Sequence, residues 1–120
     1  MKTENKIDQP PQTPTGAERR KHQRHRHMQP LYIARKDGTY QEGTTFEISE
    51  SGLSAAITGS VTVGEEVQLS FIAGERIMAI VRREQGTLHG FEFIGLTPRI
   101  QEKLQKLCEG LPQFQTLLDI

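Results

Sequence analysis

From Met28 onward, apolar residues recur at every second position in short runs broken by glycine, the period of a strand with one buried face. Leu31 and Ile33 alternate with Tyr32 and Ala34. Lys36-Asp37-Gly38-Thr39 then supplies a hairpin turn, since Asp-Gly accepts positive φ. Tyr40 begins the return strand, in which Thr44, Phe46 and Ile48 are expected to share one face. Leu53, Ala55 and Ile57 resume the alternation until Thr58-Gly59-Ser60 breaks it. After a connection over Val61 to Glu66, Val67, Leu69 and Phe71 read as a strand that Ala73-Gly74-Glu75 turns back. Ile77, Ala79 and Val81 face away from Met78 and Ile80 in the next, and Gln85-Gly86 closes a hairpin before Leu88 to Ile94. Six short strands with glycine turns predict a mainly β fold, a small six-stranded antiparallel β-barrel.

The period changes at Thr97-Pro98, which suit the N-cap and first position of a helix. Ile100, Leu104, Leu107 and Cys108 follow at helical spacing and Gly110 suits the C′ position, so a C-terminal α-helix is predicted over 97–110, packed on the barrel. Leu111, Phe114, Leu117 and Leu118 continue as a short apolar tail, read as packing or as a partner surface. At the other end, residues 1–17 hold Pro10, Pro11 and Pro14 with no hydrophobic period, a polar tail expected to be mobile. The folded domain is placed at 18–120, with an N-terminal arm at 18–27 that repulsion between its cations should also keep mobile.

Composition fits one globular domain: 120 residues, 34% hydrophobic, 25% charged. No apolar run reaches the length of a membrane span and no signal-peptide pattern opens the chain, so a cytoplasmic location is expected. The single Cys108 leaves no internal disulfide and no CxxC pair. The formal net charge is zero, yet residues 1–28 carry seven Lys and Arg against three acids, so an anionic partner at the arm is favoured.

The densest cationic stretch is Arg19-Arg20-Lys21-His22-Gln23-Arg24, which contains Arg20-x-x-x-Arg24. Downstream, between two strand-like runs, lies Glu47-Ile48-Ser49-Glu50-Ser51-Gly52. A guanidinium takes a phosphate or a guanine edge through a planar fork and can also stack on the purine face. A carboxylate and a hydroxyl on a rigid loop can meet base edges, and glycine lets backbone approach closely. Alone, the arm would read as a solvated basic linker and the loop as an ordinary turn. The pair, in this order and at this separation, resembles the RxxxR and (D/N)xSxxG signature of the PilZ domain family. Gly90-Phe91-Glu92-Phe93 resembles a late strand of its barrels, so the likeness runs from about Glu18 to Leu107. Glu47 stands where the family uses Asp or Asn, one methylene further from the backbone.

The resemblance implies a receptor for the bacterial second messenger cyclic di-GMP, with Arg19, Arg20, Arg24, Glu47, Ser49 and Gly52 at the ligand and Arg82 and Arg83 as secondary contacts. A lone domain with no attached output module is expected to act on a protein partner in trans, and a ligand with two phosphates is expected to neutralise and order the arm. Two other readings remain: a ligand-independent interaction module of motility or secretion machinery, and an arm that binds nucleic acid electrostatically, which the scarcity of aromatics among the basic residues disfavours. His22-x-x-His25-x-His27 lacks the further ligands of a metal site, and His89 is expected at a rim or partly buried. No metal and no cofactor are expected. No nucleophile–base pattern, phosphate loop or dinucleotide fingerprint accompanies these residues, so an enzyme is not expected.

Overall fold

The computed structural model describes residues 23–59 and 61–111. Seven strands and one helix follow in order: β1 (His25–Arg26), β2 (Pro30–Arg35), β3 (Tyr40–Ile48), β4 (Gly52–Ile57), β5 (Glu66–Ser70), β6 (Ile77–Gln85), β7 (Leu88–Phe93) and α1 (Pro98–Glu109). Six of them, ordered β3-β2-β5-β6-β7-β4, close into a barrel through a β3–β4 pairing, and every ladder is antiparallel. Closure leaves the six-strand ring without a free edge. The predicted barrel and C-terminal helix are therefore present, with β1 as an added seventh strand.

Alternation places one residue in two inside. Leu31, Ile33, Leu53, Ala55, Ile57, Val67, Leu69, Ile77, Ala79 and Val81 are buried together with Phe91 and Phe93. At ~25 cal/mol per Å2 of apolar surface, burial of such a set is the main drive to fold. Gly38 has φ 90°, and Asp37 Oδ1 accepts from the Thr39 backbone N–H at 2.9 Å, which gives the expected hairpin turn.

The alternation fails in β3. Thr45 pairs with Ala55 and Glu47 with Ser54, so the register shifts between them and Phe46 is the extra residue on β3. This β-bulge turns Phe46 outward to 41% exposure, while Thr45 and Ile48 are buried. The expected common face of Thr44, Phe46 and Ile48 is thus broken. An unmodified period-2 count cannot foresee an extra residue.

A second departure concerns the arm. His25 pairs with Ile48 and Arg26 with Glu47, extending the sheet along β3 beyond Thr44, the last partner of β2. His25 and His27 are buried, so the end of the expected mobile arm, at 25–27, is docked on the barrel. The β1–β3 ladder, the burial of both imidazoles and the edge-on contact of His27 with Phe71 offset the repulsion among the cations. Residues 18–22 of the arm and the 1–17 tail lie outside the described residues.

The helix begins as expected: Thr97 Oγ1 accepts from the Ile100 N–H at 3.2 Å, with Pro98 next in line. Leu104 and Cys108 enter the core and Ile100 and Leu107 pack against it. Gly110 caps the helix with φ −88°, not in the left-handed conformation expected of a C′ glycine. Of the apolar C-terminal tail, Leu111 is described and packs against the core. Phe114, Leu117 and Leu118 lie outside the described residues. The Glu75 carboxylate, before β6, receives Arg99 and Lys103 of α1 and pins the helix to the barrel.

Candidate functional site

The β3–β4 connection is shaped by its own hydroxyls. Ser49 N–H donates to Gly52 O at 2.8 Å, and Ser49 Oγ accepts from the Ser51 N–H at 3.1 Å, with Ser51 Oγ also 3.1 Å away. Serine in such a position closes a turn by local hydrogen bonding. Gly52 then starts β4 beside β7. A Cβ there would lie 2.3 Å from the Phe91 carbonyl oxygen, so only glycine lets the two strands meet. The glycine of the loop therefore serves close backbone approach.

Arg24, just before β1, places Nη1 2.8 Å from Glu47 Oε2. The Glu47 side chain is 7% exposed and that of Arg24 29%, so this pair is shielded more than a surface ion pair. Its other oxygen, Oε1, is buried with no hydrogen-bond partner. Glu47 belongs to a row that crosses four strands, Glu47 opposite Ser54, Ser54 opposite Gly90, and Gly90 opposite Arg83. A Cβ on Gly90 would sit 3.2 Å from Arg83 Nε. The bare backbone of Gly90 thus forms the bed on which the Arg83 side chain lies. A register shift between Val81 and Arg83 brings Arg82 alongside, where its Nε meets Glu92 Oε1 at 2.6 Å.

These residues converge. Arg24, Glu47, Ser49, Gly52, Arg82 and Arg83 all line one open cavity of about 400 Å3 on the outer wall of β3, β4, β7 and β6. Arg19 and Arg20 lie outside the described residues. Ser54 and Glu92 also line the cavity and were not picked out by sequence. Their only sequence signal was the outward phase of strands whose register was then unknown. With three guanidiniums beside two carboxylates, the wall can take an anion and still present acceptors to a base.

Other candidates have settled places. His25 Nδ1 is 3.2 Å from the Leu111 carbonyl, and His27 Nδ1 is 2.7 Å from Thr45 Oγ1. Burial pushes the His27 imidazole below its usual range. His89 is fully buried, not at a rim, with Nδ1 3.1 Å from the Thr87 carbonyl. Its position on the inner phase of β7, beside Phe91 and Phe93, accounts for that correction. Burial, with Glu50 nearby, raises the Cys108 thiol to about 11, so it stays protonated at neutral pH. Among the described residues no helix is long and apolar enough to cross a membrane, and no cluster of His, Cys, Asp or Glu has a metal-binding arrangement.

A closed β-barrel with a capping helix and a cationic outer cavity defines a small binding module. The PilZ domain model matches residues 18–110, and the chain belongs to that family. Solved structures share the fold. The PilZ domain of YcgR from Escherichia coli, solved with c-di-GMP, superposes with a TM-score of 0.65 at 14% identity over 78% of this chain and 91% of that one. The PilZ domain of CeSA from a cellulose-synthesizing bacterium gives 0.60 at 18% identity over 72% and 95%. The Bacillus subtilis inhibitor of motility, MotI/DgrA, gives 0.62 at 18% identity over 75% of this chain and 49% of its own. No curated protein is matched at a significant level.

Proposed function

We propose that the protein is a cytoplasmic cyclic di-GMP receptor that acts on a protein partner. One observation carries the reading: the two sequence-distant halves of the signature meet, with Arg24 2.8 Å from Glu47 on the wall of a single cavity. Fold neighbours that bind c-di-GMP or inhibit motility support the direction. In this reading Arg24, with Arg19 and Arg20 preceding it, holds phosphate and guanine. Glu47 meets a base edge, Ser49 and Gly52 keep the loop in shape, and Arg82 and Arg83 flank the ligand from β6.

The ligand's two phosphates neutralise the arm, and residues 18–24 close over the cavity while β1 stays in place. The surface so altered is what the partner reads. His25 offers a route, because its Nδ1 lies 3.2 Å from the Leu111 carbonyl just beyond α1. Calorimetric titration with cyclic di-GMP, GMP and cyclic di-AMP tests the receptor reading, which expects binding of the first and much weaker binding of the others. Equal binding of all three, with a steep loss in moderate salt, would instead mark a nonspecific polyanion arm. Amide exchange tests the switch. Slowing at residues 18–24 and 47–52 on ligand addition is expected, and an unchanged arm would sink it.

A further inference from the structure

Three buried side-chain polar atoms among the described residues are left without a hydrogen-bond partner; His89 Nε2 faces Glu84 Oε2 at 3.7 Å, and the other two stand on the wall of the main cavity. Glu47 Oε1 and Ser54 Oγ are both buried without a hydrogen-bond partner, on residues that are each 6% exposed. The two residues stand directly opposite each other on β3 and β4. A buried polar atom without a partner is costly, so natural folds keep few of them and each calls for a reason. Ser49, the serine the family signature points to, already has its hydroxyl in the turn. Ser54 does not.

The surroundings say what would complete the pair. Arg24, Glu47, Ser54, Arg83 and Gly90 border a recess of about 220 Å3 next to the main cavity. Arg24 and Arg83 flank it, and the unused Glu47 carboxylate oxygen and Ser54 hydroxyl stand at its wall, where a pair of adjacent N–H donors would satisfy both. The Watson–Crick edge of guanine, N1–H beside the N2 amino group, is such a pair. Adenine presents a bare N1 there and would set lone pair against carboxylate.

We propose that Ser54 is a specificity residue of this site, accepting a hydrogen bond from the guanine N2 amino group while Glu47 Oε1 accepts from N1–H. The inference rests on the cyclic di-GMP reading above. Arg24 is paired with the other Glu47 oxygen and Arg83 borders the same recess, so a ligand's phosphates would engage these guanidiniums as its base edge meets the two oxygens. A dinucleotide carrying guanine and phosphate together supplies both groups.

Titration of the full chain with cyclic di-GMP and with cyclic di-IMP, which lacks the N2 amino group, tests it. The wild type should bind the inosine analogue about three- to tenfold more weakly, the effect of one hydrogen bond. Ser54→Ala should lose the same factor for cyclic di-GMP and bind the two ligands alike. It should melt no lower than wild type, because an unpaired buried hydroxyl has been removed. Equal wild-type affinities for the two ligands, or a Ser54→Ala protein that keeps the full preference for cyclic di-GMP, would overturn the assignment of Ser54 and leave the receptor reading standing. Absence of any cyclic di-GMP binding by the wild type would overturn both.

Discussion

Glu75 and Glu47 are buried to the same degree, each 6% exposed, and the barrel treats them in opposite ways. Glu75 Oε2 takes Lys103 Nζ and Arg99 Nη2, and its Oε1 faces Arg99 Nη1 at 3.5 Å. Glu47 gives one oxygen to Arg24 and keeps the other buried and unpaired. Buried charge persists where its lone pairs are satisfied, so the Glu75 cluster reads as a finished seam between helix and barrel. The Glu47 wall is unfinished. Two regions of one small domain thus differ in how completely their polar atoms are wired, and under the proposed function the first serves stability and the second recognition.

The largest expected effect is on the unfinished side. Arg24→Ala removes a charge-assisted contact to the ligand worth about 1.5–3 kcal/mol, so cyclic di-GMP affinity should fall roughly ten- to a hundredfold by calorimetry. An unchanged Kd would erase the contrast by making Arg24–Glu47 a structural pair like the other.

Glu75→Ala should do the converse. Without the carboxylate, Arg99 and Lys103 no longer hold α1 to the turn before β6, and the melting temperature should fall. Cyclic di-GMP affinity measured well below that temperature should stay at the wild-type value. A variant that melts normally but binds poorly would mean that the helix seam belongs to the site.

The smallest effect, and the one that sharpens the contrast, is with acid. Burial lowers the His27 pKa, so the folded arm holds fewer protons than the unfolded chain. Its contribution is complete above the unfolded value of about 6.5 and is lost as pH falls through the lower folded value. The Lys103 hydrogen bond leads in lowering the Glu75 pKa. That contribution is complete above about 4.3 and is lost only below it. Denaturant titrations from pH 7.5 to 5.5 should therefore lose stability in the wild type and in Glu75→Ala, but less in His27→Gln. Equal slopes in all three would place the acid response elsewhere.

Strand order in the chain and helix position were legible because Leu31, Ile33, Leu53, Ala55 and Ile57 keep a strict period and Thr97-Pro98 states its own capping chemistry. Phe46 and the register between Val81 and Arg83 were not, since a bulge is a relation between two strands and leaves no mark in one. Arg24, Glu47 and Ser49 could be named from a signature, but Ser54 could not. Its meaning comes from standing opposite Glu47 and Gly90, across ladders that only the closed barrel defines. The docked state of His25 and His27 was hidden for a similar reason: charge counting weighs neighbours along the chain, while their burial depends on β3.

The β4–β7 ladder joins Leu53 to Phe91 and Ser54 to Gly90, far apart along the chain, and Gly52 allows that joint to shut. Such distant pairings are costly in loop entropy and tend to form late and slowly. The cavity wall straddles this joint, so it is complete only in the closed ring. A ligand that binds only there would draw finished barrels out of the folding equilibrium, and its concentration relative to Kd would set how far that equilibrium moves.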